Sequence, residues 1–200
     1  MDAGTDDGID DGCAHGTAVS EKRKIKGNGS DKMNQTPYEI IKEKIDEAEF
    51  VLIGIGEEFS LENQTEEQLQ RAYECLNTLI AGKTYFIVTM NSDEVIFRSK
   101  LLGFFIAAPF TDEKRQQSSQ EQWNAYLSWL SATLGHRLCI LELGVGFANP
   151  QVIRWPFEKT AVFNQKSSFV RVNQKFPQLS EELAGKGISI AENAVRVFTD

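Results

Sequence analysis

Two glycine turns carry the residue types that could hold a phosphate. Gly54-Ile55-Gly56 follows the apolar run Phe50 to Ile53, and Gly144-Val145-Gly146 follows Leu138 to Leu143. A buried strand ending in Gly-x-Gly lets the backbone approach a ligand closely and points amide N–H groups at an anion. Between them lies a polar strand end, Thr89-Met90-Asn91-Ser92-Asp93. Asn173 closes a later apolar run, Ser168 to Val172. In open parallel sheets, ligands sit beyond the carboxyl ends of the strands. The candidate nucleotide-binding residues are therefore Gly54, Ile55, Gly56, Glu58, Asn91, Asp93, Gly144, Val145, Gly146 and Asn173.

Each has a plainer use. The glycines serve tight turns, Asn91 and Asp93 cap a following helix, Asn173 makes a turn, and Glu57 with Glu58 forms a solvated first turn. Convergence on one sheet edge is what favours a site. The dinucleotide fingerprint is incomplete, because no third glycine follows Gly54-x-Gly56.

Imidazole chemistry has little support. His15 lies in a polar N-terminal stretch and His136 precedes a strand, at the amino end of the sheet. Ser-His-Asp and Cys-His devices and a histidine-ligated metal are therefore disfavoured. Acid–base work falls to Asp93, Glu57, Glu58 or Glu142. Cys13, Cys75 and Cys139 are scattered without a Cys-x-x-Cys pair, so no zinc site or disulfide framework is expected. Cys75 and Cys139 sit in apolar patterns and are read as small core residues.

A net charge of −8 argues against nucleic-acid and anionic-membrane partners. No apolar run is long enough to span a bilayer, and the N-terminus has no apolar signal core, so a cytoplasmic setting is expected. Residues 1–34 are Asp/Gly-rich and then basic, a composition expected to be a disordered or artefactual tail. The run Asp6 to Gly12 lacks calcium-loop spacing, and Met33 is a candidate start site.

From residue 35 the chain reads as one α/β domain. Thr36, Pro37 and Glu39 open a helix as a capping box. Strands are expected at Phe50–Ile53, Tyr85–Thr89, Gly103–Ala107, Leu138–Leu143, Ser168–Val172 and Ile188–Ile190. Helices are expected over Glu66–Ala81, Glu121–Leu134, Phe157–Val162 and Leu179–Ala184. In the second of these, Trp123, Tyr126, Leu127, Leu130 and Leu134 are read as one core stripe. Pro156 is read as a break before the third. Alternation of strands and helices implies a Rossmann-like parallel sheet with helices on both faces and right-handed crossovers.

The order of these motifs resembles the sirtuin family from Phe50 to the C-terminus. Val51-Leu52-Ile53-Gly54-Ile55-Gly56 is similar to the family's opening Gly-Ala-Gly turn at the NAD phosphates. Phe86 to Asp93 is similar to its Thr-Gln-Asn-Ile-Asp strand end, whose Asn and Asp lie beside the nicotinamide and its ribose. Leu141 to Gly146 stands at its Gly-Thr-Ser turn, with Pro150 near its downstream proline. Phe169 to Asn173 is similar to the strand ending in Ile-Asn, whose Asn contacts the adenosine ribose. Departures are specific. The catalytic His position reads Ala108, Gln reads Met90, and the Ser closing the first glycine motif reads Glu58. The Gly-Ile-Pro-x-Phe-Arg segment and the four zinc cysteines are absent, with Phe110 to Leu134 supplying a helix instead.

The resemblance implies a sirtuin-type large domain without its zinc subdomain, similar to compact bacterial sirtuin-like proteins. It implies binding of NAD or ADP-ribose with a degenerate deacylase site and no zinc. An active NAD-consuming enzyme is the alternative: a deacylase, an ADP-ribosyltransferase or an NAD glycohydrolase. Asn91 and Asp93 would then be catalytic, Asp93 or a glutamate replacing His by stabilising a cation-like ribose. A third reading is a non-catalytic module docking a protein partner through Trp123, Trp129 and Trp155. The Glu57-Glu58 pair opposes a nearby pyrophosphate by Coulomb repulsion unless it points away or holds a cation.

Overall fold

The computed structural model describes residues 35–110 and 116–200, with side chains in the second stretch from residue 120 onward. The expectations for residues 1–34, including Met33, Cys13, His15 and the calcium-like run, lie outside the described residues.

Six strands form one all-parallel sheet: β1 Phe50–Ile55, β2 Thr84–Thr89, β3 Ile106–Ala107, β4 Leu138–Leu143, β5 Ser168–Val172 and β6 Gly187–Ile190. Their order is β3-β2-β1-β4-β5-β6. The order reverses between β1 and β4, the switch point of a Rossmann-like sheet, where the connections leave toward opposite faces. The strands are largely apolar because both faces are covered. In β4 every residue is buried.

On one face pack α1 Pro37–Glu47, α2 Glu66–Leu79 and the short C-terminal α5 Arg196–Thr199, with Ile41, Ile45, Leu69, Tyr73, Leu76 and Phe198 against Ile53, Ile55, Leu141 and Val170. On the other pack α3 Gln116–Ala132 and α4 Arg154–Phe163, with Tyr126, Phe157 and Ala161 against Leu52, Phe86, Ile140 and Phe169. Side chains along a strand alternate faces, which is why Ile53 and Leu52 belong to different layers.

The helix starts are chemically explicit. Thr36 Oγ1 accepts the Glu39 N–H, and Glu39 Oε2 accepts the Thr36 N–H at 2.8 Å. Thr65 and Gln68 repeat this box at α2. Each box satisfies backbone donors that a helix start leaves open, worth about 1 kcal/mol.

Four details differ from expectation. The stretch before β3 is a 3₁₀ turn, Gly103–Phe105, leaving a two-residue strand. Leu179–Ala184 yields only a 3₁₀ turn, Glu181–Leu183. Pro156 does not break the chain but sits in the first turn of α4, where its missing N–H costs nothing. The α3 stripe is narrower: Tyr126 is buried, whereas Leu127 and Leu134 are exposed. Among the described residues, no helix is long and apolar enough to cross a membrane.

Candidate functional site

The two glycine turns meet at the switch point. The Gly56 N–H donates to Leu143 O at 2.9 Å, and the Glu58 N–H donates to Gly144 O at 3.3 Å. The Gly144 N–H goes to Val172 O at 2.8 Å. A Cβ on Gly56 would lie 2.4 Å from Val145 Cα, so only glycine lets the loops close. Gly144 has φ +63°, the left-handed region. Gly54 serves a different purpose. It lies inside β1, and a Cβ there would meet Ile153 Cγ2 at 2.4 Å and Phe157 Cε2 at 2.7 Å. Its bare backbone seats α4 on the sheet.

The two glutamates fold back onto these turns. Glu57 Oε2 accepts the Gly146 N–H at 2.7 Å. Glu58 Oε1 accepts the Gln174 N–H at 2.9 Å, and its Oε2 accepts the Ala194 N–H at 2.7 Å. Glu58 thus joins the loops that follow β1, β5 and β6.

Asn91 and Asp93 also bind the protein. The buried Asn91 amide donates to Gly56 O at 3.2 Å and Phe59 O at 2.9 Å. Asp93 accepts the Leu61 N–H at 3.0 Å through one oxygen and the Val95 N–H at 3.2 Å through the other. The second bond starts the 3₁₀ turn Val95–Arg98. Asn173 Nδ2 donates to Val145 O at 3.0 Å, while its Oδ1 accepts the Lys175 and Phe176 N–H groups. Ile55 and Val145 are buried in the two cores.

Beside this lattice opens a cleft of about 360 Å³. Of the candidates, Glu58, Gly144, Gly146 and Asn173 line it, together with Glu57, Phe147, Lys175, Phe176 and Asn193. Gly54, Ile55, Gly56, Val145, Asn91 and Asp93 lie off it. Phe147 is 55% exposed and edge-on to Phe176, ring centroids 5.2 Å apart. The Arg154 guanidinium stacks 4.2 Å from the Phe147 centroid.

Arg154 leads into a buried charge network on the α4 side of the sheet. Glu142 on β4 and Arg171 on β5 are register partners, and Gly54 on β1 pairs with Glu142. Arg171 Nε and Nη2 donate to the two Glu142 oxygens at 2.7 and 2.9 Å. Arg171 also reaches Glu158 at 2.6 Å, and Arg154 Nη2 lies 3.2 Å from Glu142. Arg154 further holds the Val145 and Phe176 carbonyls, each at 3.0 Å. Burial pulls the Arg154 guanidinium below its ordinary value, with Glu142 opposing. For Arg171, burial also acts downward, but the Glu142 and Glu158 carboxylates outweigh it and raise the value.

Glu142, a candidate for acid–base work, is therefore saturated by two arginines. The arginine partners and the Phe147–Phe176 pair went unread in the sequence. A signal existed. Glu142 and Arg171 each interrupt an apolar strand one residue before its end, with opposite charge. His136 lies at the amino end of the sheet, against Phe50 and 3.4 Å from Glu49. Trp155 is 53% exposed, whereas Trp123 and Trp129 pack against the second core. Cys139 is fully buried and Cys75 partly so. Among the described residues, no group of three His, Cys, Asp or Glu side chains is placed to hold a metal. No protein-family model matches the chain, and a comparison with curated proteins finds no match.

Proposed function

We propose that the chain binds a ligand of the NAD or ADP-ribose class in the carboxyl-edge cleft, as a degenerate sirtuin-like protein without a deacylation device. One observation carries this reading: a cleft of about 360 Å³ opens where the strand order reverses, the place parallel sheets of this order hold nucleotides. Its lining suits a nucleotide. Phe147, 55% exposed, offers a base the ring surface that Arg154 and Phe176 leave uncovered, Lys175 offers a cation at the rim, and the carboxylates and amides offer polar partners to a ribose.

Binding is favoured over turnover because three of the four acid–base candidates, Asp93, Glu58 and Glu142, have their carboxylates committed elsewhere, and the fourth, Glu57, gives one oxygen to the Gly146 N–H. Both Asp93 oxygens accept backbone N–H groups, both Glu58 oxygens do the same, and Glu142 is neutralised by arginines. At Ala108, where the resemblance places the catalytic His, a buried methyl group abstracts no proton.

The test is calorimetric titration of the full chain with NAD and ADP-ribose, with released nicotinamide measured in the same samples. Binding without nicotinamide is the expected result. Stoichiometric or catalytic release would replace this reading with the NAD-consuming enzyme. A folded sample that binds neither ligand would remove the nucleotide function.

A further inference from the structure

Four amides at and beside the glycine turns are already used within the chain. Leu143 O, Val172 O and Gly144 O take those of Gly56, Gly144 and Glu58. The Gly146 N–H is taken by a carboxylate, Glu57 Oε2, at 2.7 Å. Glu57 therefore fills, from within the chain, the place an anionic oxygen would occupy. A phosphate beside it would meet a like charge at close range.

Its other oxygen has a different prospect. Glu57 Oε1 has no hydrogen-bond partner among the described residues, whereas both oxygens of Glu58 are consumed. Glu57 lines the cleft and is only partly buried. Its amide partner Gly146 is followed directly by Phe147, the exposed ring at the same cleft. A carboxylate oxygen without a partner and an aromatic ring that line the same cleft match two neighbouring parts of a nucleoside. The ring receives the base, and the oxygen accepts hydrogen bonds from the vicinal hydroxyls.

Resting on the reading of the cleft as a nucleotide site, we infer that Glu57 makes it select an adenosine ribose with a free 2′,3′-diol. The ligand's 5′-phosphates then lead away from the glycine turns toward Lys175. The selection has two parts: hydroxyls donate to Glu57, and a phosphate in their place is repelled by it.

Isomeric ligands of equal charge separate these effects. Wild-type chain is titrated with ADP-ribose, 5′-AMP and 2′-AMP, and the two AMP isomers are repeated on Glu57→Gln. Glutamine keeps an oxygen for the Gly146 N–H and removes the charge. We expect 5′-AMP to bind wild type about tenfold or more tightly than 2′-AMP, and the ratio to fall to about threefold or less in Glu57→Gln. The wild-type ratio needs no variant, so a folding defect in Glu57→Gln leaves the test intact. ADP-ribose binding with the isomers equal, with 2′-AMP tighter, or with 5′-AMP silent overturns the inference and spares the site. So does a ratio unchanged by Glu57→Gln. If ADP-ribose also fails to bind, the site itself falls.

Discussion

Glu58 and Gly144 touch across the gap between β1 and β4: a Cβ on Gly144 would lie 2.4 Å from Glu58 Cβ. The contact exists because Gly144 adopts φ +63° and turns its bare face toward the first loop. From there Glu58 reaches the N–H groups of Gln174 and Ala194. One carboxylate and one missing side chain thus tie the ends of β1, β4, β5 and β6 together.

Gly144→Ala should therefore destabilise the chain through both the left-handed backbone and the contact with Glu58. The expected loss is about 2–4 kcal/mol. Urea denaturation of the full chain measures it. A loss below about 0.5 kcal/mol would show that the loop relaxes freely and is not held by Glu58.

Gly54→Ala tests a different use of glycine. The new methyl would press on Ile153 and Phe157, at an expected cost of about 1–3 kcal/mol. Ile153→Ala removes one of the two opposing groups. The double variant should lose less than the sum of the single losses, by about 0.5 kcal/mol or more. Additive losses would mean that α4 does not rest on Gly54.

The network around Glu142 predicts an asymmetry. Glu142→Leu leaves Arg171 and Arg154 buried without their shared carboxylate, and should cost about 3–5 kcal/mol. Glu142→Leu with Arg171→Met removes both charges of the tightest pair and should recover much of that loss. Equilibrium unfolding of the two variants decides it. A double variant less stable than the single would mean that Arg171 contributes mainly through its other partners, Glu158 and Gln178.

Alkaline pH should weaken the fold in an ordered way. Burial pushes the Cys139 thiol from 9.0 up to about 12. Burial also raises the Tyr73 and Tyr126 phenols above 10.0, with the Asp93 charge adding at Tyr73. All three hold their protons in the folded chain where the unfolded chain releases them. Their stabilisation is whole below about pH 9 and is lost as the pH rises toward about 12. Denaturation midpoints should be flat just below that onset and fall above it. Cys139→Ala should make the first part of the fall shallower. An unchanged slope would show that another group drives the loss.

Much of the architecture was legible because strong local signals agreed. Long apolar runs marked β1, β2, β4 and β5, and Thr36-Pro37 with Glu39 marked the start of α1. Their alternation with helices pointed to a parallel sheet. Weak segments were misread. Leu179–Ala184 has helical composition yet forms only a 3₁₀ turn, while Leu127 keeps the helical period of α3 yet faces solvent and Leu134 falls beyond the end of α3 at Ala132.

At the sheet edge, sequence placed the glycines, Glu57, Glu58, Asn91, Asp93 and Asn173 at strand ends, since each follows an apolar run. It did not say what each touches. Gly54 faces a helix, Gly56 and Gly144 face another loop, and Glu58 spans 136 positions to Ala194. Glu142 and Arg171 meet only because β4 and β5 pair in register, 29 residues apart. Local periodicity and turn chemistry act over a few residues, so the chain alone marked most of its strands, although β1 runs on through Gly54 to Ile55 and β3 is only Ile106–Ala107. Partners distant in sequence are set by strand order and register, and these only the tertiary structure decided.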